Sequence, residues 1–224
     1  MNHTLKNLLL AAIGVSSLAA IALRADPVTV QEAGVGPAET VWIDSSTLGN
    51  SLHVYAGVLT LNVNGVATNG FCIDPWHWSD SSVQNYNTVV LGTAPKAPGP
   101  MGAAAATQIE QLWAQFYSSS MSNVNAAAMQ IEIWNIVDAG VAGGTFHLDS
   151  IDGASTSTAV LAEITTMQNF LANNPNAVTA DLIAVTGPGQ DYVIPNVPDG
   201  GVTLCMLGLA FVGLVAFRKR FHSC

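Results

Sequence analysis

The C-terminal segment constrains the organisation of the chain most strongly. Residues 202–217 carry no charged side chain and are rich in Leu, Val, Ala and Gly, and Arg218-Lys219-Arg220 follow them directly. A membrane span needs about 20 apolar residues; this stretch is shorter, but Phe221 lies just beyond it and the cations can extend to the interface. Cations after a span favour a cytoplasmic end. We therefore predict a transmembrane helix over 202–217, with a buried core helix as the alternative.

The N-terminal segment predicts export. Residues 1–7 are polar with one cation, Lys6, residues 8–19 are apolar, and Ala20-Ile21-Ala22 has a small-x-small pattern. This order is typical of a secretory signal peptide, which we place at 1–25 because a second cut site follows Ala25. An uncleaved N-terminal anchor is the alternative. Together the two ends predict that the middle of the chain lies outside the cytoplasm, held at the inner membrane by its C-terminal helix.

The middle of the chain, residues 26–196, is long enough for one exported domain with a hydrophobic core. All fifteen acidic residues lie between 26 and 200, against a single basic residue, Lys96, so the formal charge of that segment is near −14. Nucleic-acid binding needs a basic surface and is excluded. Solubility outside the cell accounts for the acidity.

Hydrophobic periodicity predicts an α+β fold: an antiparallel, barrel-like β-sheet with inserted helices. Asn64-Gly65 is a strong signal for a tight hairpin turn. Asn123 or Asn125 is expected to cap the second helix. Residues 74–100 read mostly as loop, because they contain several prolines. Strands are predicted at 41–44, 53–58, 59–63, 66–73, 89–91, 177–185 and 191–194, and helices at 103–117, 126–137 and 156–171.

Cys72 is the feature of this domain that most needs an explanation. Cys205 lies in the predicted membrane helix and Cys224 is the last residue, so Cys72 has no partner within the exported domain. Exported domains normally pair their cysteines. Cys72 is therefore a buried inert thiol, half of an intermolecular bridge, or a reactive group.

Two short segments suggest the reactive alternative. Residues 70–74 read GFCID on a predicted strand, and residues 128–134 read AMQIEIW on a predicted helix. The pair resembles the thioester domains of bacterial surface proteins, in which a Cys after an aromatic residue is joined to the Gln of a Gln-x-Ala-(Ile/Val)-Trp motif with loss of ammonia. The resemblance implies a Cys72–Gln130 thioester, supported by Phe71, Asp74 and Trp134. Glu132 departs from the motif, where a small residue is usual, and would bring a charge near the bond.

The chemistry requires these residue types. A thiolate is the competent nucleophile, and a carboxamide is a poor acyl donor, so the two groups must be held in near-attack geometry. We expect Phe71, Ile133 and Trp134 to shield the bond from water. An amine on a target, typically a lysine, would then attack the former Gln130 carbonyl and release the Cys72 thiol. This is a single-use coupling without a cofactor, not enzymatic turnover.

The tail resembles a second known family. Val197-Pro198-Asp199-Gly200-Gly201, an apolar helix and Arg218-Lys219-Arg220 resemble a VPDSG-CTERM sorting signal, a relative of the PEP-CTERM tails, with Gly200 where the serine is usual. The resemblance implies processing by an exosortase-type membrane peptidase and a final place at the cell surface or in an exopolysaccharide matrix.

Other patterns point to chemistry less directly. Cys72, Asp74 and His77 fall within six residues, but a metal site would need His53 or His147 as well, and none is predicted. Residues 149–153 resemble a turn more than a calcium loop. Glu110 and Glu132 lie on predicted helices and read as solvated residues, not as a hydrolytic pair. Trp76 and Trp78 are expected to anchor their loop on the core, with sugar stacking as the alternative.

These observations favour a surface-sorted adhesion or matrix-attachment protein whose partner is an amine-bearing surface ligand or matrix polymer. A non-reactive, β-rich extracellular binding or structural module is the second reading. An exported hydrolase that uses the acidic residues and His77 is the third.

Overall fold

The computed structural model describes residues 26–45, 49–142, 146–151 and 154–196. The predicted signal peptide, the predicted membrane helix and the residues of the sorting motif lie outside these ranges. Within the described residues, none of the helices combines the length and the apolar character that a bilayer span requires.

The described residues form seven strands and three α-helices, and a short 3-10 turn, Leu91–Thr93, precedes the first helix. The strands are β1 Pro27–Ser45, β2 Gly49–Val63, β3 Val66–Cys72, β4 Gln84–Val90, β5 Phe146–Ile151, β6 Leu182–Thr186 and β7 Tyr192–Pro195. The helices are α1 Gly102–Phe116, α2 Asn123–Gly140 and α3 Ala154–Asn173.

The strands form one sheet in the order β2-β3-β7-β6-β4-β1-β5, and β1 also pairs with β2. This additional pairing closes six of the strands into a ring. Strand β5 lies outside the ring and pairs with the C-terminal end of β1, from Val41 to Ser45. The pairings β1–β2, β2–β3, β3–β7, β1–β4, β1–β5 and β4–β6 are all antiparallel. The α+β class and the antiparallel sheet are therefore confirmed, and the closure gives the sheet its barrel-like character.

The hairpin between β2 and β3 has the predicted turn. Asn64 and Gly65 both have positive φ, 51° and 83°, and Val63 pairs with Val66. Two positive φ values are typical of a type I′ turn, whose twist matches that of the strands it joins. The turn fixes the register of β3 and so determines which face of the sheet Cys72 occupies.

Helix α2 contacts strands β1 and β2 of the sheet and also helices α1 and α3, so it is central to the domain. Two neighbouring stripes of this helix are buried, one through Met129, Ile133 and Ile136 and one through Gln130 and Trp134. The predicted asparagine cap is wrong: the Ser122 hydroxyl accepts the Asn125 N–H at 3.2 Å. The serine precedes the helix in extended conformation, which is the geometry of a capping residue.

The sheet is larger than predicted. Strand β1 begins at Pro27 and continues through residues 34–37. Register shifts between Glu32 and Gly34 and between Val35 and Ala38 accommodate these residues without ending the strand. Strand β4 starts at Gln84 inside the predicted loop, and β5 was not predicted at all. Residues 177–181 are irregular, so β6 begins only at Leu182.

Candidate functional site

Cys72 is the last residue of β3 and is 3 % exposed. Its strand pairs with β7, with Phe71 opposite Val193 and Cys72 opposite Tyr192. The approach of β7 explains the glycine of the GFCID segment, because a Cβ at Gly70 would lie 2.8 Å from the Val193 carbonyl oxygen. The thiol is therefore held at a fixed position where β3 ends and the following loop begins.

Gln130 projects from α2 onto the same residue. The Cys72 backbone N–H donates to Gln130 Oε1 at 2.9 Å, and Gln130 Nε2 donates to the Cys72 carbonyl at 2.8 Å. Gln130 is 1 % exposed, so neither hydrogen bond competes with bulk water. The two residues that the sequence pairs across 58 positions thus lie in direct contact, joined at two points.

The Cys72 sulfur lies in an environment that opposes its ionisation. Burial raises the pKa of the thiol well above its usual value, and the nearby Asp74 charge raises it further. Hydrogen bonds from the Trp134 side chain and from the Asp74 N–H, whose nitrogen is 3.3 Å from Sγ, act in the opposite direction but are weaker. The resting thiol is therefore neutral, and any nucleophilic step needs a proton acceptor.

A carboxylate–imidazole pair follows Cys72 in the chain. Both oxygens of Asp74 lie 2.8 Å from His77 Nδ1, and Asp74 Oδ1 also accepts the Trp76 N–H. Gln190 Nε2 donates to the carbonyls of Asp74 and His77 at 3.3 and 3.1 Å and ties this loop to β7. Burial raises the pKa of Asp74, and the His77 hydrogen bond lowers it.

Asp191, immediately before β7, forms hydrogen bonds that hold the backbone next to the site. Its carboxylate accepts the backbone N–H groups of Lys96 at 2.7 Å and Gly187 at 3.0 Å, and its carbonyl accepts the Ile73 N–H. Burial raises the pKa of Asp191 to about 6 despite these donors, and Asp74 adds to the shift.

A cavity of about 200 Å³ opens onto the thiol. Cys72, Gln130, Trp134 and His77 all contribute to its wall. Trp134 follows Gln130 by one helical turn, so α2 presents both side chains to the same space. The rest of the lining comes from β1, β2, the loop after β3 and Gln190, and includes Glu32, His53, Tyr55, Pro75 and Trp78.

Phe71 does not shield the thiol as expected. Successive residues of a strand point to opposite faces, so the Phe71 ring lies on the other side of β3 from Cys72. It is fully buried against Trp113 of α1, edge to face at a centroid distance of 5.4 Å. Ile133 is likewise buried away from the cavity wall, and the aromatic residue that borders the thiol is Trp134.

Glu132 does not bring its charge to the thiol, contrary to expectation. Two residues from Gln130 on a helix, it points to a different side of α2, where Oε2 accepts Asn135 Nδ2 at 3.2 Å and Gln168 Nε2 at 3.0 Å. It is also not a solvated residue, because it is 4 % exposed, and burial raises its pKa. The departure from the motif therefore leaves the Cys72 cavity unchanged.

The two loop tryptophans have different surroundings. Trp76 is 1 % exposed and anchors the loop on the core, as predicted. Trp78 is 57 % exposed and borders the cavity, so the prediction of a second anchor is wrong. Across the described ranges no group of three or more His, Cys, Asp and Glu side chains is arranged to hold a metal ion.

Sequence reasoning missed Gln190 and Asp191, and it treated His77 only as a metal ligand or as part of a hydrolase. Asp74 and His77 are three positions apart, a spacing that would have suggested contact in a tight turn. No sequence signal connects either residue with Gln190, since 116 positions separate Asp74 from it.

Comparison with known proteins identifies the tail. Residues 196–221 match the VPDSG-CTERM motif. The match covers the VPDGG residues, the apolar stretch and the three cations, and confirms the predicted sorting motif. It indicates a secreted, surface-sorted protein.

Two further comparisons concern the whole chain. No curated protein gives a significant match. Among solved structures, the thioester domain of the Staphylococcus aureus TIE protein is similar, with 15 % sequence identity over 78 % of this chain and 81 % of that one and a TM-score of 0.43. The function therefore rests on the contacts around Cys72.

Proposed function

We propose that this secreted, surface-sorted protein attaches covalently to amine-bearing targets through a thioester between Cys72 and Gln130. The observation that carries the proposal is the two-point contact between the Gln130 carboxamide and the Cys72 backbone, at 2.9 and 2.8 Å. A buried glutamine needs only some partner for its polar atoms. Here both partners belong to the one cysteine of the exported domain.

The contact supplies the orientation that thioester formation needs. A carboxamide is attacked only when the nucleophile is held close to its carbonyl carbon, and fixed geometry can remove a large part of such a barrier. The Cys72 N–H that points at Gln130 Oε1 also stabilises negative charge on that oxygen in the tetrahedral intermediate. The same donor would serve twice, when the thioester forms and when an amine opens it.

The surroundings fit a bond that must survive until a target arrives. The thiol and the carboxamide are 3 % and 1 % exposed, and Trp134 borders them. A primary amine is a stronger nucleophile than water toward a thioester, so an amine on a flexible arm that enters the cavity would react faster than water does. Trp78 and Tyr55 are exposed at its border, where a target would first make contact.

The sorting motif of the tail supports a site of action at the cell exterior. We propose that the helix over 202–217 anchors the protein in the inner membrane, that an exosortase-type peptidase processes the VPDGG tail, and that the domain then acts in adhesion or matrix attachment. Each molecule would react once, and the product would be an amide between the Gln130 side chain and a surface ligand or matrix polymer.

Labelling with a tagged primary amine tests the proposal. We expect a tag on the peptide that contains Gln130, with one new alkylatable thiol at Cys72 for each tag bound. Cys72→Ala and Gln130→Ala should take up none. Gln111→Ala is the matched control. Gln111 of α1 is also buried, but its amide donates to the Pro175 carbonyl and not to Cys72. Equal labelling of wild type and Cys72→Ala would leave a non-reactive binding module.

A further inference from the structure

The thioester chemistry requires proton transfers that neither Cys72 nor Gln130 can perform. Formation removes a proton from the thiol and adds one to the departing ammonia. Coupling removes a proton from the attacking amine and returns one to the sulfur. The sulfur is buried beside an acidic side chain, and both features disfavour ionisation of the thiol. A free thiolate therefore does not form readily as the nucleophile, and it is a poor leaving group. A nearby group must carry the proton in both directions.

We propose that His77, oriented by Asp74, is this proton carrier, an inference that rests on the proposed thioester function. His77 borders the same cavity as Cys72 and Gln130. Its Nδ1 lies 2.8 Å from both oxygens of Asp74, so Nδ1 carries the hydrogen and Nε2 is left with its lone pair. The side chain is 38 % exposed, whereas Asp74 is 2 % exposed, so the imidazole connects the buried carboxylate with the cavity.

The loop around the pair keeps it in place. Asp74 also accepts the Trp76 N–H, and its own N–H points to the Cys72 sulfur at 3.3 Å. Gln190 holds the carbonyls of both Asp74 and His77. Asp74 is therefore a positioning residue, connected on one side with the sulfur and on the other with the imidazole.

The coupling step balances as follows. An amine R–NH₂ attacks the former Gln130 carbonyl carbon, and His77 Nε2 takes a proton from the attacking nitrogen. The C–S bond then breaks, its electron pair goes to sulfur, and the imidazolium returns the proton to Cys72 Sγ. The products are the amide of Gln130 with R and a neutral thiol, and His77 regains its starting state. Formation of the thioester runs in the opposite direction: His77 Nε2 takes the proton from Cys72 Sγ, and the sulfur attacks the Gln130 carboxamide carbon. The C–N bond then breaks, and the imidazolium gives the proton to the departing nitrogen, which leaves as ammonia.

Other titratable groups lie at or near the cavity. Glu32 of β1, His53 and Tyr55 of β2 and Cys72 of β3 line it, and Asp191, immediately before β7, interacts electrostatically with Cys72, Asp74 and His77. Two histidines, His53 and His77, are among the residues that line the cavity. The test therefore compares His77 with the other histidine of the cavity, His53, which stacks on Trp42 at a centroid distance of 4.5 Å.

The experiment measures thioester content and the rate of coupling to methylamine in the full chain, as wild type, His77→Ala, His77→Gln, Asp74→Asn and His53→Ala. We expect coupling in both His77 variants to slow by about a hundredfold or more, the usual contribution of a general acid–base group. Asp74→Asn should lose less, and His53→Ala should match wild type. Added imidazole should restore coupling in His77→Ala, because it can occupy the vacated space, and a misfolded variant would not respond.

The outcomes separate the two proposals. A folded His77→Ala protein with a free thiol and full mass supports the inference, because formation needs the same proton transfers. His77 variants that form the bond and couple at the wild-type rate overturn it and leave the thioester intact. Loss of coupling in His53→Ala with normal His77 variants also overturns it. Absence of the thioester in wild type contradicts the proposed function itself.

Discussion

The carboxamide of Gln130 meets the backbone of Cys72 with both of its polar atoms, at 2.9 and 2.8 Å, although 58 residues separate them in the chain. The contact joins the centrally placed helix α2 to the end of strand β3. It therefore has a structural consequence in the protein before any bond forms, as well as a chemical one.

Replacement of Gln130 should destabilise the domain. Gln130→Ala removes both hydrogen bonds, leaves the Cys72 N–H and carbonyl buried without partners, and opens a void. We expect a loss of roughly 2–4 kcal/mol in the free energy of unfolding. Urea denaturation of a Cys72→Ala background, in which no thioester can form, measures this cost without the covalent bond. A loss below about 0.5 kcal/mol would show that the contact is not formed in solution.

Glu132 should make the protein less stable at neutral pH than its amide counterpart. Burial raises its pKa, so the folded protein binds the proton more tightly than the unfolded chain does, and stability falls as pH rises above the unfolded value. Glu132→Gln removes this loss and keeps an oxygen for Asn135 and Gln168. We expect Glu132→Gln to be more stable than wild type at pH 7 and not at pH 3.5, measured by denaturant unfolding. A variant less stable than wild type at pH 7 would argue for a charged, satisfied Glu132.

The contribution of Asp191 to the free energy of unfolding should also depend on pH. Its pKa is raised to about 6, so its contribution to stability is fully present below the unfolded value near 4 and is lost as pH rises through 6. A shift of this size corresponds to roughly 3 kcal/mol at most. Asp191→Asn should flatten the fall in melting temperature between pH 4 and 7. Its absolute stability will be lower, because an amide nitrogen replaces one acceptor for Lys96 or Gly187. An unchanged slope would contradict the assignment.

The exposed Trp78 ring should affect docking of large targets but not the chemistry. It is 57 % exposed at the cavity border, so it can contact a polymer before the amine reaches the thioester. We expect Trp78→Ala to slow coupling to an amine-bearing polymer several-fold and to leave the rate with methylamine unchanged. Val178→Ala is the control, since Val178 is 82 % exposed and does not line the cavity. Equal effects on both amines would place Trp78 in the reaction and not in docking.

The parts of the fold that local patterns determine could be predicted. The Asn64-Gly65 turn and the three helices follow from turn chemistry and from apolar spacing over a dozen or more residues. The first half of β1 could not be predicted, because Gly34, Gly36 and Pro37 break the pattern, and only pairing with β2 and β4 reveals why the strand continues. Strand β5 is short and pairs only with β1, at a distance of about a hundred residues.

The site could be predicted in part for a similar reason. Cys72 and Gln130 lie in short segments with recognisable neighbours, so their pairing was accessible. Which side chains face the cavity was not, because strand alternation turns Phe71 into the core and helix geometry turns Glu132 toward α3. The support from Gln190 and Asp191 depends on β7 lying beside β3, a pairing that no local pattern encodes.

The intact mass of the purified protein tests the central claim most directly. Wild type and Cys72→Ala are measured side by side under conditions that limit hydrolysis, and the mass difference is compared with that of the substitution itself. We predict that wild type is lighter by one ammonia, that Cys72→Ala has its full mass, and that mapping places the loss on Cys72 and Gln130. Full mass in both proteins, with Cys72 free to alkylate after unfolding, would contradict the account.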